Sequence, residues 1–276
     1  MPELPEVETV VRGLTPAWQG RRFVRVEARR PDLRFPLPED LGQRLVGATV
    51  TGLGRRAKYG LVHTDRGDTM VFHLGMSGRM RLDPAEIEKH DHVIFETGPK
   101  DGDRGHIVAF NDARRFGSLD FARTDALDAH PALAGLGPEP LGPGLTAAHL
   151  SAAFAGRAAP VKALLLDQRV VAGLGNIYVC EALHMAGIHP ERPGRDVTAA
   201  ETAKLAPAIK AVLEAAVEAG GSSLRDYVQV DGELGYFQKQ WRVYGREGEA
   251  CPTCAGQVGR RVQSGRSSFF CATCQA

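Results

Sequence analysis

The chain has 276 residues, 43% of them hydrophobic and 24% charged, with a formal net charge of +1. It is long enough for two ordinary domains and apolar enough to bury a sizeable core. Bulk charge excludes a uniformly basic nucleic-acid coat, so any such binding must come from local patches. No apolar run approaches a membrane span and no signal peptide opens the chain, so a soluble cytoplasmic protein is expected.

The chain opens MPELPEVETVVRGL. Pro5 suits a first helical turn, Glu6 and Glu8 complement the helix dipole, and Val7, Val10, Val11 and Leu14 fall on one face. A helix starting near Leu4 follows. It accounts for neither Pro2 nor Glu3, which lie ahead of it. Next, RRFVRVEARR at 21–30 carries five arginines and one glutamate, readable as a strand with a wet basic face.

Residues 20–125 read mostly as short strands: FVRVEA, TVTGL, GLVHT, TMVFHL, HVIFET, HIVAFN and SLDFA, separated by Gly or Asp turns. This predicts an antiparallel sandwich or barrel. Two stretches, HLGMSGRM at 73–80 and NDARRFG at 111–117, place bulky or polar residues on turns between strands. Core aromatics seldom sit in a tip as charged as that around Phe116. A protein that evicts a base from a duplex needs such a tip to fill the hole, and Met76 and Phe116 suit a wedge, with an arginine to hydrogen-bond the orphaned base. His73 reads equally well as structural, and His90-Asp91-His92 has no third ligand nearby.

HPALAGLGPEPLGPGLT, residues 130–146, reads as a linker. Helical patterns follow to about residue 219, in TAAHLSAAFAG, PVKALLLDQ, NIYVCEALHMAG and TAAETAKLAPAIKAVLEAAVEAG. The turn VVAGLGN, with Gly173, Gly175 and Asn176, leads into one of these helices. It is either an ordinary helix–helix connection or a phosphate-binding helix start capped by Asn176. The glycine-rich stretch 220–239 reads as a loop.

The tail carries two CxxC pairs, Cys251/Cys254 and Cys271/Cys274, at a spacing suited to zinc. Four thiolates close a tetrahedral shell, so one structural Zn2+ is expected. Disulfides are disfavoured in a chain without an export signal. Residues 239–266 hold Lys239, Arg242, Arg246, Arg260, Arg261 and Arg266 against Glu247 and Glu249, which suits a nucleic-acid contact. Cys180, the fifth cysteine, reads as a buried apolar residue.

Taken together, PELPEVET at 2–9, RRAKYG at 55–60, HLGMSGRM, NDARRFG, the glycine turn ending in Asn176 and the zinc ribbon with Arg266 resemble the formamidopyrimidine-DNA glycosylases over essentially the whole chain. Ala57 and Ala113 depart from that pattern, where glycine and proline are common. The resemblance implies an α+β multidomain fold: an N-terminal catalytic β-sandwich (1–130), a linker (131–146), a helix–two-turn–helix domain (147–240) with a lesion-facing loop at 220–239, and a zinc finger (241–276). It implies a bacterial, monomeric base-excision repair enzyme acting on damaged double-stranded DNA. It would remove oxidised purines such as 8-oxoguanine and formamidopyrimidines and cut the strand by β,δ-elimination. The implied catalytic residues are Pro2, Glu3, Lys58 and Arg266, supported by Glu6. His73, Lys162 and Asn176 match DNA-backbone or lesion-site positions, and Met76, Arg114 and Phe116 match a void-filling trio.

Trimming of Met1 would leave the Pro2 nitrogen as a free secondary amine. Such an amine can attack the sugar C1′, with Glu3 as the adjacent acid. The related endonuclease VIII enzymes share the architecture and the N-terminal proline but prefer oxidised pyrimidines; PELPEVET and NDARRFG favour the purine reading. A non-catalytic zinc-ribbon DNA binder would explain the tail but not Pro2 and Glu3.

Overall fold

The structure is a computed structural model that describes residues 1–222 and 229–276. The chain runs α1 (Leu4–Trp18), β1 (Phe23–Ala28), α2 (Leu41–Leu45), β2 (Val50–Arg56), β3 (Tyr59–Thr64), β4 (Asp68–His73), β5 (Arg79–Leu82), β6 (Asp91–Thr97), β7 (Ile107–Asn111), β8 (Ser118–Arg123), α3 (Ala147–Phe154), α4 (Val161–Leu166), α5 (Asn176–Ala186), α6 (Ala199–Glu218), β9 (Val258–Gln263) and β10 (Arg266–Cys271). It divides into two compact units, one of residues 1–134 with 219–236, the other of 135–218 with 237–276.

The first unit is built on two antiparallel four-stranded sheets, ordered β1-β6-β7-β5 and β2-β3-β4-β8. Their inner faces share one core, into which α1 sends Val7, Val10, Val11, Leu14 and Trp18. Those positions repeat at helical spacing, so burial of a single apolar stripe seats the helix. Trp18 packs edge-on against Phe23 and Phe95, each at 5.4 Å between ring centroids. Strand β5 begins inside the stretch read as a turn tip, and its backbone supplies a ladder to β7.

Residues 219–222 and 229–236 fold with this unit. The backbone oxygen of Val230 accepts a bond from Leu82 N at 2.8 Å, and the Val230 side chain joins the sandwich core. Of the expected loop 220–239, positions 223–228 lie outside the described residues.

In the second unit α5 packs against α4, α6 and β10. Strands β9 and β10 form a two-stranded ribbon turned at Ser264-Gly265, both with positive φ. A two-residue turn of that kind matches the natural twist of a hairpin.

Candidate catalytic site and nucleic-acid interface

Pro2, Glu3 and Glu6 are all buried at the start of α1, Glu3 at 3% and Glu6 at 2% exposure. Glu3 is the N-cap, and Glu3 and Glu6 form a capping box in which the Glu3 N–H donates to Glu6 Oε2 at 2.8 Å. The other Glu6 oxygen accepts the backbone N–H of Ser222, also at 2.8 Å. One carboxylate thus ties the backbone next to Pro2 to the root of the 223–228 segment. Met1 is 48% exposed, and while it is attached the Pro2 nitrogen is an amide without basicity.

Lys58 sits in the tight connection between β2 and β3 and is 8% exposed. The connection turns at Ala57, whose φ of 53° lies in the left-handed region that glycine adopts more cheaply. Arg55 braces it, donating to the Ala57 carbonyl at 2.9 Å and to Glu8 on α1 at 3.0 Å. Glycine is required at Gly60, because a Cβ there would meet the Phe72 ring at 2.0 Å.

His73 ends β4. Its Nδ1 accepts the Gly75 N–H at 3.0 Å, so the ring proton resides on Nε2. Burial, with the charges of Lys58 and Arg34 added, lowers its pKa to about 4. The imidazole is therefore neutral near pH 7 and offers one N–H donor. His73 and Arg34 share the lining of a cavity of about 530 Å³ with Met1, Met76, Arg114 and Phe116.

The two tips stand together on that rim. Asp112 is fully buried; it accepts Ser77 Oγ and Gly117 N, each at 2.7 Å. Ser77 Oγ in turn accepts the Arg114 N–H at 3.1 Å. Gly75, at φ 64°, passes so near the second tip that a Cβ would lie 2.3 Å from the Phe116 carbonyl carbon. Held this way, Met76 and Phe116 remain 37% and 41% exposed, and the Arg114 guanidinium lies 4.9 Å from the centre of the Phe116 ring. Exposed apolar side chains on a braced turn suit insertion between stacked bases.

In the second unit Lys162, Asn176 and Arg266 converge on the start of β10. The Lys162 ammonium is 1% exposed and donates to Ser267 O at 3.0 Å and Ser268 Oγ at 2.6 Å. Burial, chiefly, and the charge of Arg266 lower its pKa, against an opposing effect of Cys180. Asn176 is the first helical residue and Gly175 is the cap, so the expected capping by Asn176 is replaced by donation from Nδ2 to the same Ser267 O at 2.9 Å. Arg266 is exposed and lines a cavity of about 300 Å³ with Lys162 and Gln263. The buried Glu181 escapes a search for charge or motif. Its carboxylate accepts the backbone N–H groups of Arg242, Val243 and Tyr244 at 2.8–3.0 Å, which docks that segment on α5.

The ligand atoms of Cys251, Cys254, Cys271 and Cys274 lie within 4.8 Å of one another. Cys251 and Cys274 sulfurs are 3.8 Å apart and those of Cys254 and Cys271 3.6 Å. A tetrahedral thiolate shell with bonds of about 2.3 Å has edges of ~3.8 Å, whereas a disulfide would need about 2.0 Å. The four residues fit a metal ion. Burial alone would raise the Cys251 thiol, but hydrogen bonding to it, first from the Thr253 backbone, outweighs burial and brings the pKa down to about 5.

Residues 1–119 match the model of the formamidopyrimidine-DNA glycosylase N-terminal domain, and residues 136–228 that of the formamidopyrimidine-DNA glycosylase H2TH domain. The formamidopyrimidine-DNA glycosylase of Novosphingobium aromaticivorans is 64% identical, and that of Rhizorhabdus wittichii 62%, each over 100% of both chains. The chain belongs to the formamidopyrimidine-DNA glycosylase family. This is a family of DNA-repair glycosylases. Among solved structures, the MutM (Fpg) protein from Thermus thermophilus is 41% identical with a TM-score of 0.87, covering 99% of this chain and 98% of that one. Lactococcus lactis Fpg in complex with DNA containing an abasic site is 33% identical with a TM-score of 0.90, covering 99% of each. The fold read from the sequence, sheets followed by helices and a cysteine-bearing ribbon, is the fold of this family.

Proposed function

We propose that the chain excises oxidised purines from double-stranded DNA and then cleaves the strand. The observation that carries this reading is the buried pair Glu3 and Glu6 at the head of α1, built around a proline that becomes a secondary amine once Met1 is removed. The nitrogen attacks C1′ of the damaged nucleoside. The C1′–N bond to the base breaks, and Glu3 supplies a proton to the opening sugar. The product is an iminium joining Pro2 to C1′. Its positive charge acidifies C2′–H; loss of that proton expels the 3′ phosphate, and a second elimination expels the 5′ phosphate. Lys58 and Arg266 are the cations assigned to those eliminations, and the neutral His73 donates to a backbone phosphate.

Met76, Arg114 and Phe116 fill the vacated stack, with Arg114 leaving the Phe116 ring to face the orphaned base. Asn176 and Arg266 hold phosphates, and Lys162 positions the strand that carries Arg266. Cys251, Cys254, Cys271 and Cys274 would hold one Zn2+, which would cross-link the ribbon and supply no chemistry to the reaction. The place of action is the bacterial cytoplasm, as a monomer on the chromosome. A relative of known structure supports damaged DNA as the substrate class: Lactococcus lactis Fpg was seen with Fapy-dG DNA as a point mutant and with oxidised-pyrimidine DNA as the wild type.

The deciding experiment is incision of a duplex carrying one 8-oxoguanine, with borohydride present. Covalent protein–DNA adduct mapped to Pro2 is expected. Normal excision by protein that retains Met1 would rule out the terminal amine and shift the assignment to Lys58.

A further inference from the structure

Helix α5 faces the ribbon with polar groups at both ends. At its start Asn176 reaches Ser267 O; one turn on, Glu181 gathers three backbone N–H groups; at its last turn stands His184. Positions 176, 180, 181 and 184 share a face at helical spacing, and Cys180 on that face packs into the cluster formed by Cys251, Cys271, Val243, Val258 and Phe269. The Glu181 and Asn176 bonds hold backbone. His184 instead reaches a sulfur: its Nε2 lies 3.3 Å from Cys251 Sγ.

The ring is 4% exposed. Its other nitrogen, Nδ1, is buried with no hydrogen-bond partner among the described residues. The sulfur contact is therefore the polar contact that orients the ring. A metal-bound thiolate presents only lone pairs, so an Nε2 lone pair facing it would be repelled. The neutral tautomer with hydrogen on Nε2 is attracted, and it leaves at Nδ1 a bare acceptor rather than a stranded N–H, the less costly of the two orphans. His184 is not one of the ligands: the group of mutually close ligand atoms consists of the four cysteines alone.

We propose that His184 donates an Nε2–H···Sγ hydrogen bond to Cys251 that holds the metal shell against the last turn of α5. The proposal rests on the zinc reading above. A tetrathiolate shell carries net negative charge in a buried place, and a donor to one sulfur lowers that cost while restraining the ligand from leaving. Partners of this kind in other metal sites change metal affinity by about 10–100-fold. The contact also has a mechanical consequence. His184 and Asn176 are eight residues apart, about 12 Å along one helix. The backbone just beyond α5 meets the second CxxC knuckle as well, with Ala276 N donating to Gly187 O at 3.2 Å and Gln275 Nε2 to Ile188 O at 2.8 Å. Loosening of the shell is thereby transmitted to the helix that begins with Asn176.

The test uses the full chain. Metal analysis comes first; a freshly purified chain without bound metal overturns the zinc reading and this proposal with it. In 113Cd-exchanged wild-type protein, a scalar coupling between the His184 Hε2 proton and cadmium is expected across the hydrogen bond. Metal bound without that coupling, and with His184 protonated at Nδ1, overturns the proposal alone. His184→Phe keeps a flat ring but no donor. It should release zinc to a chelating dye about tenfold faster and move the thiolate-to-metal band of the Co(II) protein to lower energy. His184→Gln, whose amide can donate, should restore release to within about threefold. A His184→Phe protein with wild-type release and an unmoved band refutes the hydrogen bond; if that variant does not fold, the cadmium coupling in unmutated protein decides.

Discussion

Asp112 braces the two tips proposed to act as a wedge, and Asp112→Asn tests that brace. The carboxylate is fully buried and accepts two bonds at 2.7 Å, one from the Ser77 hydroxyl and one from the Gly117 N–H. Hydrogen bonds to a charged group contribute about 1.5–3 kcal/mol each, against about 0.5–1.5 for neutral pairs. Asparagine retains one oxygen, which the fixed Gly117 donor will take. Its NH2 then faces Ser77, whose hydroxyl must rotate and accept. Losing charge assistance at both bonds should cost about 2–3 kcal/mol in urea unfolding. Asp112→Ala strands the Gly117 N–H outright and should cost about 4 kcal/mol. A double-mutant cycle with Ser77→Ala should show coupling of about 1–2 kcal/mol. Because Ser77 also receives the Arg114 N–H, discrimination over the base opposite the lesion should relax in parallel. An Asp112→Asn protein within 0.5 kcal/mol of wild type, with no coupling to Ser77, would refute the claim that this carboxylate braces the two tips.

Three further outcomes follow from the same geometry. The His73 ring holds a pKa of about 4 against an ordinary 6.5; above pH 6.5 folded and unfolded chains are both neutral there. As pH falls the unfolded chain takes up the proton first. Stability should therefore decline between about pH 6.5 and 4, by up to about 3 kcal/mol, a decline that chemical unfolding of His73→Gln should lack. Ala57→Gly relieves a left-handed backbone costing about 1–2 kcal/mol while adding unfolded-state freedom of about 0.5–1, so melting should show a net change from zero to about 1.5 kcal/mol in favour of glycine. Arg266→Ala should weaken binding to damaged and undamaged duplex alike and reduce the salt slope by about one unit; an effect confined to lesion choice would mean that the residue reads bases.

The elements that were legible in the sequence are those whose pattern and burial coincide. Helix α1 repeats its apolar stripe without interruption, and the residues the pattern names, Val7, Val10, Val11 and Leu14, all face the core, where Ala17 and Trp18 join them. Most strands of the two sheets carry β-branched residues, and the two CxxC pairs announce a shell by spacing alone. Strand β5 was not legible because RMRL is half charged: Arg81 is satisfied by the buried Asp91 at 2.6 Å, a partner ten residues away that no local window sees. Helix α2 is five residues long, too short for periodicity to register. At the site, Pro2 and Glu3 stood out because nothing local explains them, and the two tips because aromatic and charged residues shared a turn. The braces behind them left no such mark. Arg55, Asp112 and Glu181 are single charges of common types, and each acquires its role from a group that folding brings near: the Glu8 carboxylate, the Ser77 hydroxyl and the backbone N–H groups of 242–244.

Lys162 shows where counting charge along a sequence misleads. A lysine in a DNA-binding domain reads naturally as a phosphate contact, yet this ammonium is 1% exposed and gives two of its donors to β10. An ammonium so placed cannot follow a mobile phosphate, since moving outward would break bonds that offset its burial. What it does is hold Ser267 O from one side while Asn176 holds it from the other. Arg266, the neighbour of Ser267, remains exposed and unburdened by that task. On the proposed reading, the cation that meets DNA and the cation that aims it are different residues. Lys162→Met should accordingly disturb the placement of Arg266 more than the count of phosphate contacts. Its salt slope should stay closer to wild type than that of Arg266→Ala, and stability should fall by about 1–3 kcal/mol as two ribbon groups each lose one hydrogen bond. A Lys162→Met protein of unchanged stability whose salt slope drops by a full unit would instead make Lys162 a direct phosphate ligand.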